Sequence, residues 1–234
     1  MSKKLLSPII VALDYAEPSQ AMAMVEQLDP ARCRVKIGKE LFTRGGPQLV
    51  EKVVAKGYDV FLDLKYHDIP NTVAGACSAA ASLGVWMVNV HALGGRRMME
   101  AAREAIEKSS HKPMLIAVTI LTSMGEDDLK EIGIPGSPAD NVERLAKLSH
   151  RSGMDGVVCS PQEVMMLRGV IPKTFSLVTP GIRPAWSAKG DQTRFTTPAD
   201  AIKSGSNFLV IGRPITADPQ PLIALKRIED ELVD

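Results

Sequence analysis

Cysteine is scarce: Cys33, Cys77 and Cys159 are odd in number and far apart. With no C-x-x-C spacing among them, neither a disulfide framework nor a zinc site is indicated, and reduced thiols in a cytoplasmic protein are expected. Aromatic residues make up only 4% of the chain and the formal net charge is +1. There is thus no electrostatic footprint for nucleic acid, and no basic run suggests a membrane surface. No apolar run reaches the roughly 18 residues that a membrane span requires. The stretch Leu5 to Leu13 after Lys3-Lys4 has the outline of a short signal peptide, but Pro8 interrupts it and Asp14 ends it without a small-residue cleavage site. Ile9 to Asp14 reads better as a first buried strand, and neither a nucleic-acid nor a membrane partner is expected.

What the chain does have is apolar residues, 45% of 234, enough for a full core. They come as short, largely β-branched runs alternating with helical segments. The strand candidates are Ile9 to Asp14, Cys33 to Gly38, Asp59 to Lys65, Trp86 to Ala92, Met114 to Thr122, Gly156 to Ser160, Phe175 to Gly181 and Asn207 to Ile215. Helices are expected over Ser19 to Leu28, Pro47 to Lys56, Thr72 to Leu83, Arg96 to Lys108, Ala139 to Ser152, Pro161 to Val170, Pro198 to Ser204 and Pro219 to Val233. Several open on proline or a capping residue and close on glycine, as at Gly57, Gly84, Gly153 and Gly205. Eight βα units without a linker or composition shift predict an α/β fold, a single TIM (β/α)8 barrel spanning residues 1–234. A doubly wound open sheet is the alternative.

One stretch departs from this apolar pattern. In Phe61-Leu62-Asp63-Leu64-Lys65-Tyr66-His67-Asp68-Ile69-Pro70-Asn71-Thr72, period-2 alternation puts Asp63 and Lys65 on one face as the strand ends. Asp68 follows just before the turn into a helix that Pro70 can begin. Buried charges cost several kcal/mol unless paired. Alone, the cluster could be a structural ion pair at a strand end. In a barrel, however, active sites lie where strands end, and other polar residues fall there too. Asp14 closes the first strand and Lys36 lies near the end of the second, while Asn89 and His91 close the fourth. Thr122 and Ser123 follow the fifth, Thr179-Pro180-Gly181 ends the seventh, and Gly212-Arg213 ends the eighth. By alternation Lys36 shares a face with Arg34 and points into the barrel mouth. Asp14, Lys36, Asp63, Lys65 and Asp68 would form an alternating set of carboxylates and ammonium groups at one rim, held ionised by mutual pairing.

Gly212-Arg213 joins backbone N–H groups to a guanidinium where barrels often hold a phosphate, although a capping loop with a surface arginine has the same pattern. The connection Ile182 to Thr197 contains Arg183-Pro184, Trp186, Gly190-Asp191-Gln192 and Arg194, and reads as an active-rim lid or as an insertion. His91 is expected to be a satisfied histidine rather than a metal ligand, since no second histidine stands at a ligand spacing. His67 is given no chemical role.

The segment from Asp63 to Thr72 resembles the D-x-K-x-x-D-I-x-x-T signature of the orotidine 5'-phosphate decarboxylases. Val11-Ala12-Leu13-Asp14, Val35-Lys36-Ile37-Gly38, Leu121-Thr122-Ser123, Thr179 to Pro184, Gly190-Asp191-Gln192 and Val210 to Ile215 are similar, in order, to stretches of that family's bacterial members. The resemblance implies decarboxylation of orotidine 5'-phosphate to uridine 5'-phosphate, the last step of de novo pyrimidine nucleotide synthesis, with no metal or organic cofactor. It implies Lys65 as proton donor to C6, Asp63 near the scissile carboxylate, and Asp68 and Thr72 supplied in trans across a homodimer interface. Asp14 and Lys36 would hold the ribose hydroxyls, with Lys36 also pairing Asp63. Thr122 and Ser123 would contact the pyrimidine, and Ile69 and Pro180 would complete the substrate site. Gln192, Arg213, the Gly212 N–H and Arg183 would belong to the phosphate region. Two alternatives remain at this point: a Mg²⁺-dependent sugar-phosphate decarboxylase or aldolase of related barrel type, and a catalytically inactive nucleotide-binding barrel.

Overall fold

The computed structural model describes residues 7–187 and 196–232. Its eight strands are β1 (Ile9–Ala12), β2 (Arg34–Gly38), β3 (Val60–Tyr66), β4 (Met87–His91), β5 (Met114–Val118), β6 (Gly156–Val158), β7 (Ser176–Thr179) and β8 (Phe208–Ile211). Every strand pairs in parallel with the next, and β8 closes on β1 through Ile10 opposite Val210. The sheet is therefore a closed TIM barrel and not an open one.

Closure explains why the strands are so apolar: each buries one face against the surrounding helices and the other inside the barrel. Ile10, Phe61, Met87, Ile116 and Val178 fill the interior. At the amino-terminal end Arg34 plugs the floor, its guanidinium 4.3 Å from the Trp86 ring and 3.3 Å from Asp59. The outer faces, such as Val11, Val35, Leu62 and Val88, join the larger core formed with the helices. Gly156 permits close approach of β6 to β7, since a Cβ there would collide with the Ser176 carbonyl oxygen.

Proline at the first turn opens helices at Pro18, Pro70, Pro138, Pro198 and Pro221, where the missing N–H is no loss. Ser137 caps Pro138–Arg151 by accepting a hydrogen bond from the Asp140 N–H. At the other ends the expected glycines take positive φ, as at Gly205, with φ 115°.

Several boundaries differ from the sequence reading. Helix is present over Lys39–Ala55 in two parts that meet at Gly46, where φ is 63°; Pro47 opens the second part as expected, and residues 39–45 add a first part that the sequence reading did not include. The fifth strand stops at Val118, beyond which Thr119 donates to the Val158 carbonyl from a connecting loop. The eighth strand stops at Ile211, and Arg213–Thr216 coil into a short helix that buries Pro214 and Ile215. Pro161 to Val170 is a short 3₁₀ turn followed by the helix Val164–Arg168. The Ser123 to Pro138 connection also carries a helix of its own, Glu126–Glu131.

Candidate active site

The carboxyl-terminal ends of the strands open on a cavity of about 410 Å³. Phe61, Val118, Val158, Val178 and Val210 form its apolar wall and floor, and Asp14, Lys36, Asp63 and Lys65 gather on one side. Arg183, Gly212 and Arg213 lie among the lining residues from the ends of β7 and β8, and Thr122 and Pro180 complete the rim.

The charged groups form one continuous run. Asp14 Oδ1 lies 3.1 Å from Lys36 Nζ, which lies 3.4 Å from Asp63 Oδ2, while Lys65 Nζ donates to Asp63 Oδ1 at 2.6 Å. The middle of the run is the most buried: the Asp14 side chain is 69% exposed and that of Lys65 27%, whereas those of Lys36 and Asp63 are 10% and 12% exposed. Burial pushes the Asp63 carboxyl up, but the charges of Lys36 and Lys65, with hydrogen bonds from Lys65 and Asn89, outweigh it and hold the group below the usual carboxylate range. Asp63 is therefore ionised at neutral pH.

Local geometry explains how two neighbouring strand residues both reach this spot. On β2, Lys36 points inward as alternation predicts, and the absent side chain of Gly38 leaves room for it, since a Cβ there would lie 3.2 Å from Lys36 Nζ. On β3 the register breaks. Leu62 pairs with Val88 but the ladder resumes only at Tyr66 opposite Val90, so three residues of β3 face one of β4. Lys65 takes φ 52°, alone among the described non-glycine residues in a positive φ. Asp63, still in register with Gly38 of β2 and two residues after the interior Phe61, reaches the cavity by regular alternation, whereas Lys65 is carried there by the bulge.

Asn89 is a polar strand-end residue to which the sequence assigns no role. It is fully buried, donates from Nδ2 to Asp63 Oδ1 at 2.7 Å, and accepts at Oδ1 from the Lys65 backbone N–H at 2.7 Å. An amide inside the apolar run Met87-Val88-Asn89-Val90 is the available signal, because a buried amide must be satisfied.

Other expected residues divide. Asp68, Ile69 and Thr72 are exposed around the start of the helix Pro70–Ser82 and are not among the residues lining this chain's cavity. The Asp68 carboxylate accepts from the Ile69 N–H at 2.6 Å, and Ile69 is 67% exposed. Thr122 lines the cavity and Ser123, also exposed, is not among its lining residues. Gln192, with Gly190, Asp191 and Arg194, lies outside the described residues. The ends of that connection meet where Ile182 bridges Thr196.

His67 stacks on His91, with ring centroids 5.4 Å apart. Burial, with the charges of His67, Lys39 and Lys65, lowers the His91 pKa to about 4. An unfolded imidazole titrates at about 6.5, so between those values the unfolded chain binds more protons than the folded one. Stability at this site is full above the higher value and is lost as pH falls toward the lower. His91→Asn is expected to flatten this loss, so that melting temperatures at about pH 7 and about pH 4.5 differ less than in the parent protein.

Among the described residues no helix is long and apolar enough to cross a membrane, and no group of three or more His, Cys, Asp or Glu could hold a metal ion.

Comparison with known proteins gives a consistent result. Residues 7–228 match the family described as Orotidine 5'-phosphate decarboxylase / HUMPS family. The chain is 58% identical over 226 residues to the orotidine 5'-phosphate decarboxylase of Nitrosococcus oceani, covering 97% of each, and 60% identical over 220 residues to that of Hydrogenovibrio crunogenus, covering 94% of this chain and 93% of the relative. Its fold superposes on the crystal structure of orotidine 5'-phosphate decarboxylase from Lactobacillus acidophilus with a TM-score of 0.88 at 42% identity, covering 97% of this chain and 99% of the other.

Proposed function

The chain belongs to the orotidine 5'-phosphate decarboxylase family and converts orotidine 5'-phosphate to uridine 5'-phosphate and carbon dioxide in pyrimidine nucleotide synthesis, and on that premise we propose that Lys65 is the proton donor in a site shared by two subunits. The observation that carries this assignment is the run Asp14, Lys36, Asp63, Lys65, which ends in an ammonium beside an apolar cavity.

Loss of carbon dioxide from C6 of the pyrimidine leaves an electron pair in the ring plane, orthogonal to the π system, so ring delocalisation cannot spread the charge. A fixed cation can meet it instead. The Lys65 ammonium stabilises negative charge as it develops and then gives C6 a proton. Asp63, ionised between two lysines, pairs with the Lys65 ammonium and orients it. A carboxylate lying beside the substrate carboxylate also opposes it electrostatically, while the apolar wall keeps water from weakening these interactions. No metal or organic cofactor is required, because Lys65 supplies both charge and proton.

Asp14 and Lys36 hold the ribose hydroxyls. Thr122, with Ser123 beside it, and Pro180 meet the pyrimidine. Arg213 and the Gly212 N–H hold the phosphate, with Gln192 and Arg183 in the same region. Asp68, Ile69 and Thr72 complete the site of a second copy, so the enzyme is a homodimer; their exposure, away from this chain's own cavity, supports that assignment. The three buried, unpaired cysteines accord with a reducing cytoplasm.

A phosphate distant from the reacting carbon provides binding energy that can act on turnover as well as affinity. Arg213→Ala is expected to weaken uridine 5'-phosphate about 10- to 100-fold, as for a charge-assisted hydrogen-bond pair, and uridine less than about threefold. Calorimetric titration of both ligands checks this, and equal losses would remove Arg213 from the phosphate grip. The Mg²⁺-dependent and inactive alternatives lack a comparable basis, since the relatives matched over nearly full length are decarboxylases of this nucleotide.

A further inference from the structure

We propose that Asn89 is a positioning residue for the reaction: its side-chain amide takes the place of the missing β3–β4 ladder and sets the Lys65 ammonium and the Asp63 carboxylate in one geometry. The inference rests on the reading of Lys65 as proton donor and Asp63 as its partner. Between the pairs Leu62–Val88 and Tyr66–Val90, Asn89 is the single β4 residue opposite three residues of β3. A backbone so mismatched leaves N–H groups without ladder partners in a buried place, where an unmet donor is costly. Asn89 Oδ1 accepts the Lys65 N–H at 2.7 Å, and that residue has φ 52°. A non-glycine residue persists there only when its surroundings over-determine it.

The other end of the amide acts on the acid. Asn89 Nδ2 donates at 2.7 Å to Asp63 Oδ1, the same oxygen that receives Lys65 Nζ at 2.6 Å. The amide orientation is fixed by chemistry: a backbone N–H needs the oxygen and a carboxylate needs the NH₂. One fully buried side chain thus ties the backbone of the lysine to the carboxylate that holds its ammonium. Asn89 is outside the cavity lining and makes no contact with substrate in this scheme. Its removal should therefore affect turnover more than affinity.

The substitution Asn89→Asp offers a specific test. When protonated, the carboxyl it introduces has the hydrogen-bonding pattern of asparagine, with C=O accepting from Lys65 and O–H donating to Asp63. Once ionised it repels Asp63 instead, and two carboxylates sharing a site hold one proton to unusually high pH. Full-length wild type, Asn89→Ala, Asn89→Asp and Lys65→Ala would be assayed for decarboxylation across pH, with uridine 5'-phosphate titrated into each and folding followed by circular dichroism. Asn89→Ala is expected to lower kcat about 100-fold or more at every pH, as for loss of a preorganising donor, with KM and product affinity within about threefold. Asn89→Asp is expected to be as impaired at about pH 8 and to recover at least about tenfold relative to wild type at about pH 5.5.

A folded Asn89→Ala enzyme with kcat within about threefold of wild type, or one that loses product affinity in parallel with kcat, overturns the proposal. If Asn89→Ala fails to fold, the nearly isosteric Asn89→Asp decides. An activity profile parallel to wild type, or recovery that merely tracks regain of fold, overturns it. Lys65→Ala separates the two levels: turnover retained there rejects the proton-donor reading itself, whereas a dead Lys65→Ala beside a normal Asn89→Ala rejects only the role of Asn89.

Discussion

Replacing Lys65 by alanine is expected to lower turnover at least about 10⁴-fold, since the variant loses both a general acid and the charge that stabilises the developing carbanion. Each of these functions is commonly worth two or more orders of magnitude, and both belong to the same ammonium. The barrel should survive the change. The Lys65 side chain is 27% exposed at the cavity, and Asp63 would keep Lys36 at 3.4 Å and Asn89 at 2.7 Å, so no buried charge is stranded. Alanine also stays within the L-residue limits that lysine already meets at φ 52°. An ultraviolet absorbance assay on orotidine 5'-phosphate, with circular dichroism and product titration on the same sample, checks the expectation. Near-normal turnover in a folded variant would refute the assignment.

The second large effect concerns the subunit boundary. Asp68→Ala and Lys65→Ala should each be nearly inactive alone, and mixing them should restore activity. If each site takes Lys65 from one subunit and Asp68 from the other, a hybrid dimer has one site with both defects and one intact. Random exchange of equal amounts makes half the dimers hybrids, so recovery approaches about one quarter of wild-type activity. If Asp68 served its own chain's site, every site in every dimer would be defective and mixing would restore nothing. Mass spectrometry of the mixture establishes that exchange has occurred. Exchange without recovery would remove Asp68 from the partner's site.

Much of this site is legible without coordinates because its signals are local. Lys36 can be aimed inward by counting along β2, since the strand is regular and a pleat has period two. Asp14, Asp63, Lys65, Thr122, Gly212 and Arg213 can be placed at one rim because in a parallel barrel every strand ends on the same face. The misreadings arise where local pattern is degenerate. Pro214 and Ile215 are buried and apolar in a strand or in a one-turn helix alike, so the pattern alone extends β8 too far. Gly45-Gly46-Pro47 is a true break, with Gly46 at φ 63° and Pro47 opening a helix as expected, but the helical residues 39–45 before it carry no side-chain cap or proline to announce them.

The number of βα units, the order of the strands' polar ends and the separation of acids from bases along the chain are properties of the linear sequence, because each follows from hydrophobic periodicity over a few residues. Closure of β8 onto β1 brings Arg213 to the same cavity as Lys65, residues far apart in the chain. The bulge in β3 and the burial of Asn89 against it arise only when β4 is laid alongside, since a register mismatch is a relation between two strands. The low pKa of Asp63 likewise depends on Lys36 arriving from β2 within 3.4 Å. Chemistry at this rim was written in residue types; its geometry and charge state were decided by which strands became neighbours, because electrostatic and hydrogen-bond energies depend on distance through space.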